Sequence, residues 1–155
     1  MDHNKGCWLI DSSVLLRIIS NDSPAAREWY QNCKLRGDTF FASKFLDLEV
    51  TRAMFNKILT KTAGYHSHLV DEYLKDIDLI DVSDEIINYA KYLVVPLRAA
   101  DAIHLQTAIY LENMSDAEGT ITVVTHDAQL AEGAKLLGVP VFDPVTDDPK
   151  RPPLG

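Results

Sequence analysis

Residues 7–15 read Cys7-Trp8-Leu9-Ile10-Asp11-Ser12-Ser13-Val14-Leu15. Four apolar residues run into an acid and two serines, and a new apolar stretch opens at Val14. A short apolar run closed by turn-type residues predicts a buried strand, and Val14 to Ile19 begins a helix. The same succession recurs along the chain. Thr39-Phe40-Phe41-Ala42 predicts a second strand, and Ile77, Leu79 and Ile80 a third. Ile121 to Thr125, rich in β-branched residues, predicts a fourth, and Val139 to Phe142 a short last one. Strands alternating with helices define an α/β layer fold with a mostly parallel central sheet.

Local signals place the helices between them. Ser23-Pro24 supplies an N-cap and a proline at the first helical position, and the helix runs to about Lys34, stopping near Gly37. Ser43 caps a helix on which Phe45, Leu48, Met54, Phe55, Ile58 and Leu59 recur at helical spacing. A stretch around Gly64 separates it from a helix through Leu69, Tyr73 and Leu74. Ser83 caps a helix carrying Ile86, Ile87, Ala90 and Leu93, which Pro96 breaks. Ala99 to Leu111 is helical, as is Ala128 to Leu137, with Gly138 just past its end.

At 155 residues, the chain fits one domain, expected over residues 1–146. Residues 147–155, with three prolines, read as a loose tail. No run approaches the ~20 apolar residues of a membrane span. The N-terminus lacks the basic-then-apolar pattern of a secretory signal, so a cytoplasmic location is expected. Cys7 and Cys33 have no metal-ligand spacing and read as free thiols. The His66-x-His68 pair reads as solvated. The net charge is −8, whereas sequence-independent nucleic-acid binders draw affinity from basic surface. Any nucleic acid must therefore be held by bound metal and local basic patches, and an acidic surface suits a basic protein partner.

Four acids stand where elements begin or end, or inside apolar-periodic helices: Asp11, Glu49, Asp101 and Asp127. Asp11 follows the first strand, at the edge where open parallel sheets bind ligands; alternatively it only caps the next helix. Asp127 carries the same two readings, with the Thr125 hydroxyl two residues before it. Asp101 lies between small alanines that let another backbone approach, or it simply answers a helix dipole. Glu49 lies mid-helix, and its alternative is an exposed pair with Arg52. Together the four make a stronger case. Two carboxylates ~4 Å apart repel by about 4 kcal/mol at an effective dielectric near 20, so a convergent cluster needs a counter-cation or protonation. Hard oxygen donors select Mg²⁺ or Mn²⁺ over zinc.

The chain resembles PIN-domain proteins, and most closely the small VapC-type ribonuclease toxins of bacterial toxin–antitoxin pairs. Four segments carry the likeness: Leu9 to Leu15, Ser43 to Arg52, Leu97 to Ala108, and Val123 to Leu130 with Ala134, Gly138 and Val141-Phe142-Asp143-Pro144. The resemblance implies a PIN-like fold, a parallel sheet flanked by helices on both faces. It implies that Asp11, Glu49, Asp101 and Asp127 line one catalytic, metal-binding pocket, supported by Ser12 and Thr125. Gln106 departs from the small residue common at its position, a change expected to alter packing near the site. His126 receives no role.

The expected activity is Mg²⁺-dependent endoribonuclease cleavage of RNA, leaving a 5′-phosphate and a 3′-hydroxyl. Metal ions lower the pKa of water and orient it in line with the phosphodiester. Asp11 and Asp101 are the expected direct ligands, while Glu49 and Asp127 act through water or orient the nucleophile. Arg52 and Arg98, one helical turn from a site acid, either hold substrate phosphates or pair with those acids. Expected partners are RNA, a cognate antitoxin with a basic segment, and a second copy in a homodimer. The alternative is a catalytically inactive PIN-like protein-binding module. A dehalogenase-like phosphatase would need an acid where Ser13 stands, and a receiver domain a lysine that Thr125-His126-Asp127 lacks.

Overall fold

The computed structural model describes residues 5–59, 67–114 and 120–147. In chain order the elements are β1 (Cys7–Ile10), α1 (Ser12–Ser20), α2 (Pro24–Arg36), β2 (Thr39–Ser43), α3 (Phe45–Leu59) and α4 (Ser67–Leu74). There follow β3 (Asp78–Ile80), α5 (Asp84–Ala90), α6 (Ala99–Met114), β4 (Ile121–Val124), α7 (Ala128–Leu136), β5 (Val141–Phe142) and a 3-10 turn at Pro144–Asp147. The strands form one sheet in the order β3-β2-β1-β4-β5. Every pairing is parallel, not merely most of them.

Strand β1 lies at the centre because both of its faces are apolar, as parallel strands covered on both sides require. Ile10 turns to the face packed by Val14, Ile18, Tyr30, Leu46 and Val50. Leu9 turns to the opposite face with Leu105, Ala108, Leu130 and Ala134. Strand β4 alternates in step, with Val124 on the first face and Ile121 and Val123 on the second. Helices α1 to α4 therefore cover one face, and α6 and α7 the other.

The local signals set most boundaries. Ser23 Oγ accepts the Ala26 N–H at 3.2 Å, and Pro24 follows it. Gly37, at φ 82, closes α2 by donating to Cys33 and Lys34 carbonyls, a left-handed turn that glycine adopts without strain. Ser83 caps α5 through Ile86 N–H at 3.2 Å. Helix α5 nevertheless stops at Ala90 and does not reach Leu93. A proline disfavours α geometry in the residue before it, so the chain has left the helix before Val95-Pro96. The tail expected from residue 147 lies outside the described residues, apart from the backbone of Asp147. His66 and the side chain of His68 also lie outside them.

Helix α3 departs from its simple periodic reading. Leu46, Val50 and Met54 face the core, whereas Leu48 is 55% exposed, Phe55 44% and Leu59 62%. The helix carries two apolar faces, and the sheet covers one.

Candidate active site

The chain passes from β1 to β2 and β3 on one side, then returns to β4 on the other. The carboxyl ends of β1 and β4 thus flank the point where strand order reverses, the ligand-binding position of open parallel sheets. Ile10 lies opposite Val124, which sets Asp11 beside Thr125. The Asp11 N–H extends the ladder by donating to Val124 O at 3.1 Å.

Asp11 is 3% exposed, and three donors surround its carboxylate. Thr125 Oγ1 donates to Oδ2 at 2.6 Å, while Ser13 Oγ donates to Oδ1 at 2.7 Å and the Val14 N–H to Oδ1 at 3.3 Å. Burial raises its pKa, and the Thr125 and Ser13 hydroxyls, the His104 charge and the Val14 amide pull it back. The hydroxyl beside Asp11 belongs to Ser13, one residue beyond the expected Ser12. Ser13 Oγ also accepts the His126 N–H at 3.0 Å. Thr125 Oγ1 accepts the Asp127 N–H at 3.0 Å, so two hydroxyls tie the ends of β1 and β4 together.

Asp127 caps α7, its Oδ1 accepting Leu130 N–H at 2.9 Å. Asp11 likewise caps α1. Capping and membership of the acidic group are compatible at both positions. Asp101 lies in the first turn of α6. Its pKa is raised to about 6, by burial first and then by the charges of Asp127 and Asp11, with a smaller contribution from Glu49 and some relief from His104. All four predicted acids therefore share one electrostatic neighbourhood, although they come from four parts of the chain.

Glu49 does not pair with Arg52. Its Oε1 accepts a hydrogen bond from His104 Nε2 at 2.5 Å. His104 is 1% exposed, and burial works against its charge. The hydrogen bond and charge of Glu49, with Asp11 and Asp101 behind them, nonetheless raise its pKa above the ordinary histidine value. Arg52 instead lies over the Phe55 ring, 5.5 Å from its centroid, and Nη2 donates to Asn56 at 3.4 Å. Arg98 is exposed at the start of α6, where its carbonyl accepts Ala102 N–H at 2.9 Å. Among the described residues, no ion pair joins either arginine to a site acid.

Besides His104, two groups at this edge carry no role in the sequence reading. One is Ser13, hidden by its neighbour Ser12. The other is the pair formed by His126 and Asp143, which follow β4 and β5. His126 Nδ1 donates to Asp143 Oδ2 at 2.9 Å, and Asp143 also accepts Val145 N–H and Thr146 Oγ1–H. Gln106, expected to adjust packing near the acids, lines a cavity of about 450 Å³ between α5 and α6 with Ile86, Tyr89, Ile109 and Met114.

As the side chains stand, no three Asp, Glu, His or Cys residues among the described residues converge tightly enough to hold a metal ion. The chemistry of the group still fits a hard divalent cation. Its donors are carboxylate oxygens, and burial, followed by the charges of Asp127, Asp11 and Glu49, raises the Asp101 pKa against the opposing His104. Among the described residues, no helix is long and apolar enough to cross a membrane.

The fold is PIN-like: a five-stranded, all-parallel sheet flanked by helices. The structure is similar to VapBC2 from Rickettsia felis bound to a DNA fragment from its promoter, with a TM-score of 0.61 and 15% identity over 88% of this chain and 98% of that one. It is similar to VapBC-1 from nontypeable Haemophilus influenzae, with a TM-score of 0.59 and 12% identity over 89% and 98% of the two chains. FitAB bound to the IR36 DNA fragment gives a TM-score of 0.58 and 17% identity over 93% and 99%. No family model matches the sequence, and none of the curated proteins does.

Proposed function

We propose that this protein is a divalent-metal-dependent endoribonuclease, acting as the toxin of a toxin–antitoxin pair. Supporting the reading are Asp11 and Asp127 at the ends of β1 and β4, and Asp101, whose pKa is raised by burial first and then by the charges of Asp127, Asp11 and Glu49. Such repulsion opposes folding unless a cation or proton relieves it. The PIN-like fold and its similarity to VapBC and FitAB proteins support the toxin reading.

Asp11 and Asp101 would hold Mg²⁺ or Mn²⁺ directly, with Glu49 and Asp127 completing the oxygen set. When bound, the ion supplies an activated water and offsets charge developing on the phosphate. Asp11 is fixed for this by Thr125, Ser13 and the Val14 amide, and Oδ2, which accepts only from Thr125 among the described residues, keeps a free lone pair. Glu49 and Asp127 orient the attacking water, and Arg52 and Arg98 draw the RNA backbone across the acidic edge. Single-stranded RNA is the preferred substrate, since splayed strands expose their phosphates. With a net charge of −8, the protein suits an antitoxin whose basic segment places an arginine against the acids. A homodimer in the cytoplasm is the proposed working form.

The test is cleavage of single-stranded RNA by purified protein with Mg²⁺, beside Asp11→Asn and Asp101→Asn. Both substitutions should abolish cleavage with the fold retained. Calorimetry with Mn²⁺ separates this reading from an inactive binding module: a protein that takes up no metal and cuts no RNA is not a nuclease of this kind.

A further inference from the structure

We propose that His104 is a positioning residue: its Nε2–H pins Glu49 so that the second carboxylate oxygen faces the other three acids. The inference rests on the metal-dependent reading above and deepens it.

Glu49 reaches the site from the middle of α3 on a side chain with three free torsions. A glutamate at 26% side-chain exposure pays entropy to hold one rotamer, and its neighbour Arg52 is engaged with Phe55. The constraint comes from across the fold. His104 stands three residues after Asp101, one turn along the same face of α6. It is 1% exposed and its ring lies 6.4 Å from that of Phe45, so packing leaves it little freedom. Its Nε2 lies 2.5 Å from Glu49 Oε1. Its other nitrogen, Nδ1, is buried and meets no hydrogen-bond partner among the described residues.

A packed, buried ring that meets a site carboxylate at short range can hold that carboxylate in one orientation. Helix α6 therefore delivers both an acid, Asp101, and the group that holds the acid of α3. Partners that fix a ligand's orientation are worth about 10–100-fold in metal affinity.

The experiment exploits the two amide side chains. Gln places its N–H₂ near the ring Nε2 and still reaches Glu49, whereas Asn places it near Nδ1 and does not. His104→Gln, His104→Asn and His104→Met are compared by Mn²⁺ calorimetry, with melting of the metal-free proteins as a check on folding. His104→Asn and His104→Met should each lose about tenfold or more in affinity, while His104→Gln stays close to the starting protein. In a Glu49→Ala background neither His104→Asn nor His104→Met should weaken binding further, since a residue acting through another gives non-additive losses. Equal affinities across the three variants, or losses that add to that of Glu49→Ala, overturn the proposal while leaving the nuclease reading intact. If one variant without the donor does not fold, the other carries the comparison. Absence of Mn²⁺ binding in the unsubstituted protein overturns both.

Discussion

Thr125 Oγ1 donates to Asp11 Oδ2 at 2.6 Å across the ends of two neighbouring strands. The two residues are 114 positions apart in sequence. The parallel register of β1 and β4 makes them adjacent, so the central pairing of the sheet and the arming of its most buried acid are one structural event.

Thr125→Val should therefore cost about 1–3 kcal/mol, because it leaves a buried carboxylate oxygen and the Asp127 N–H without their partner. Thr125→Ser keeps the hydroxyl and should cost less. Urea unfolding of the metal-free proteins measures both. A valine variant as stable as the parent would mean that the hydroxyl contributes nothing to the edge.

Asp101 predicts a pH dependence whose sign runs opposite to the usual carboxylate. Its pKa rises from 3.8 to about 6 on folding. Between those values the unfolded chain has released the proton while the folded one retains it, so stability falls as pH rises through the window. Below it the group adds nothing to the slope, and above it the penalty is complete. Asp101→Asn removes the penalty, so its stability relative to the parent should grow between pH 4 and pH 7 without metal. Melting curves at the two pH values check this, and a difference that shrinks with rising pH contradicts it. Mn²⁺ should bind the parent more weakly below about pH 6, because the ligand must lose its proton first.

Helix ends and strand ends were legible because their chemistry is local. Ser23-Pro24 and Gly37 bound α2 through contacts within four residues, and the alternation of Leu9 and Ile10 needs only the strand period. Asp11 and Asp127 could be named as candidates because each sits at an element end, Asp101 because it lies between small alanines, and Glu49, mid-helix, only in company with the other three. The grip on them could not. Ser13 and Ser12 are indistinguishable until the turn into α1 is built. His104 meets Glu49 only because α6 crosses α3, a pairing 55 residues apart. Helix α3 shows the same limit from another side. Periodicity counts Leu48, Phe55 and Leu59 as core candidates, yet coverage by the sheet, which the sequence does not encode locally, leaves them exposed.

Arg52 and Arg98 are exposed and unpaired with the acids beside them, so their predicted effect is on substrate and not on folding. Arg52→Ala and Arg98→Ala should raise KM for RNA and leave kcat and melting temperature close to the parent. Each lost phosphate contact should also reduce the salt dependence of RNA affinity by about 0.7 in the logarithmic slope for single strands. An unchanged slope in both variants would remove these arginines from the RNA path.

Asp143 gathers three donors at the end of β5: His126 Nδ1–H, the Val145 N–H and the Thr146 hydroxyl. Its side chain is 6% exposed and that of His126 is 13%, so water cannot readily replace the lost bonds. The His126 N–H in turn donates to Ser13, which links this cluster to Asp11. Asp143→Ala should therefore cost about 1–3 kcal/mol in global stability. It should also loosen the β4 end locally, which hydrogen exchange at the His126 amide reads directly. Faster exchange at that amide with unchanged exchange in the β1 interior is the expected pattern. Exchange that rises equally everywhere would mean that Asp143 supports the whole fold and has no particular hold on the β4 edge.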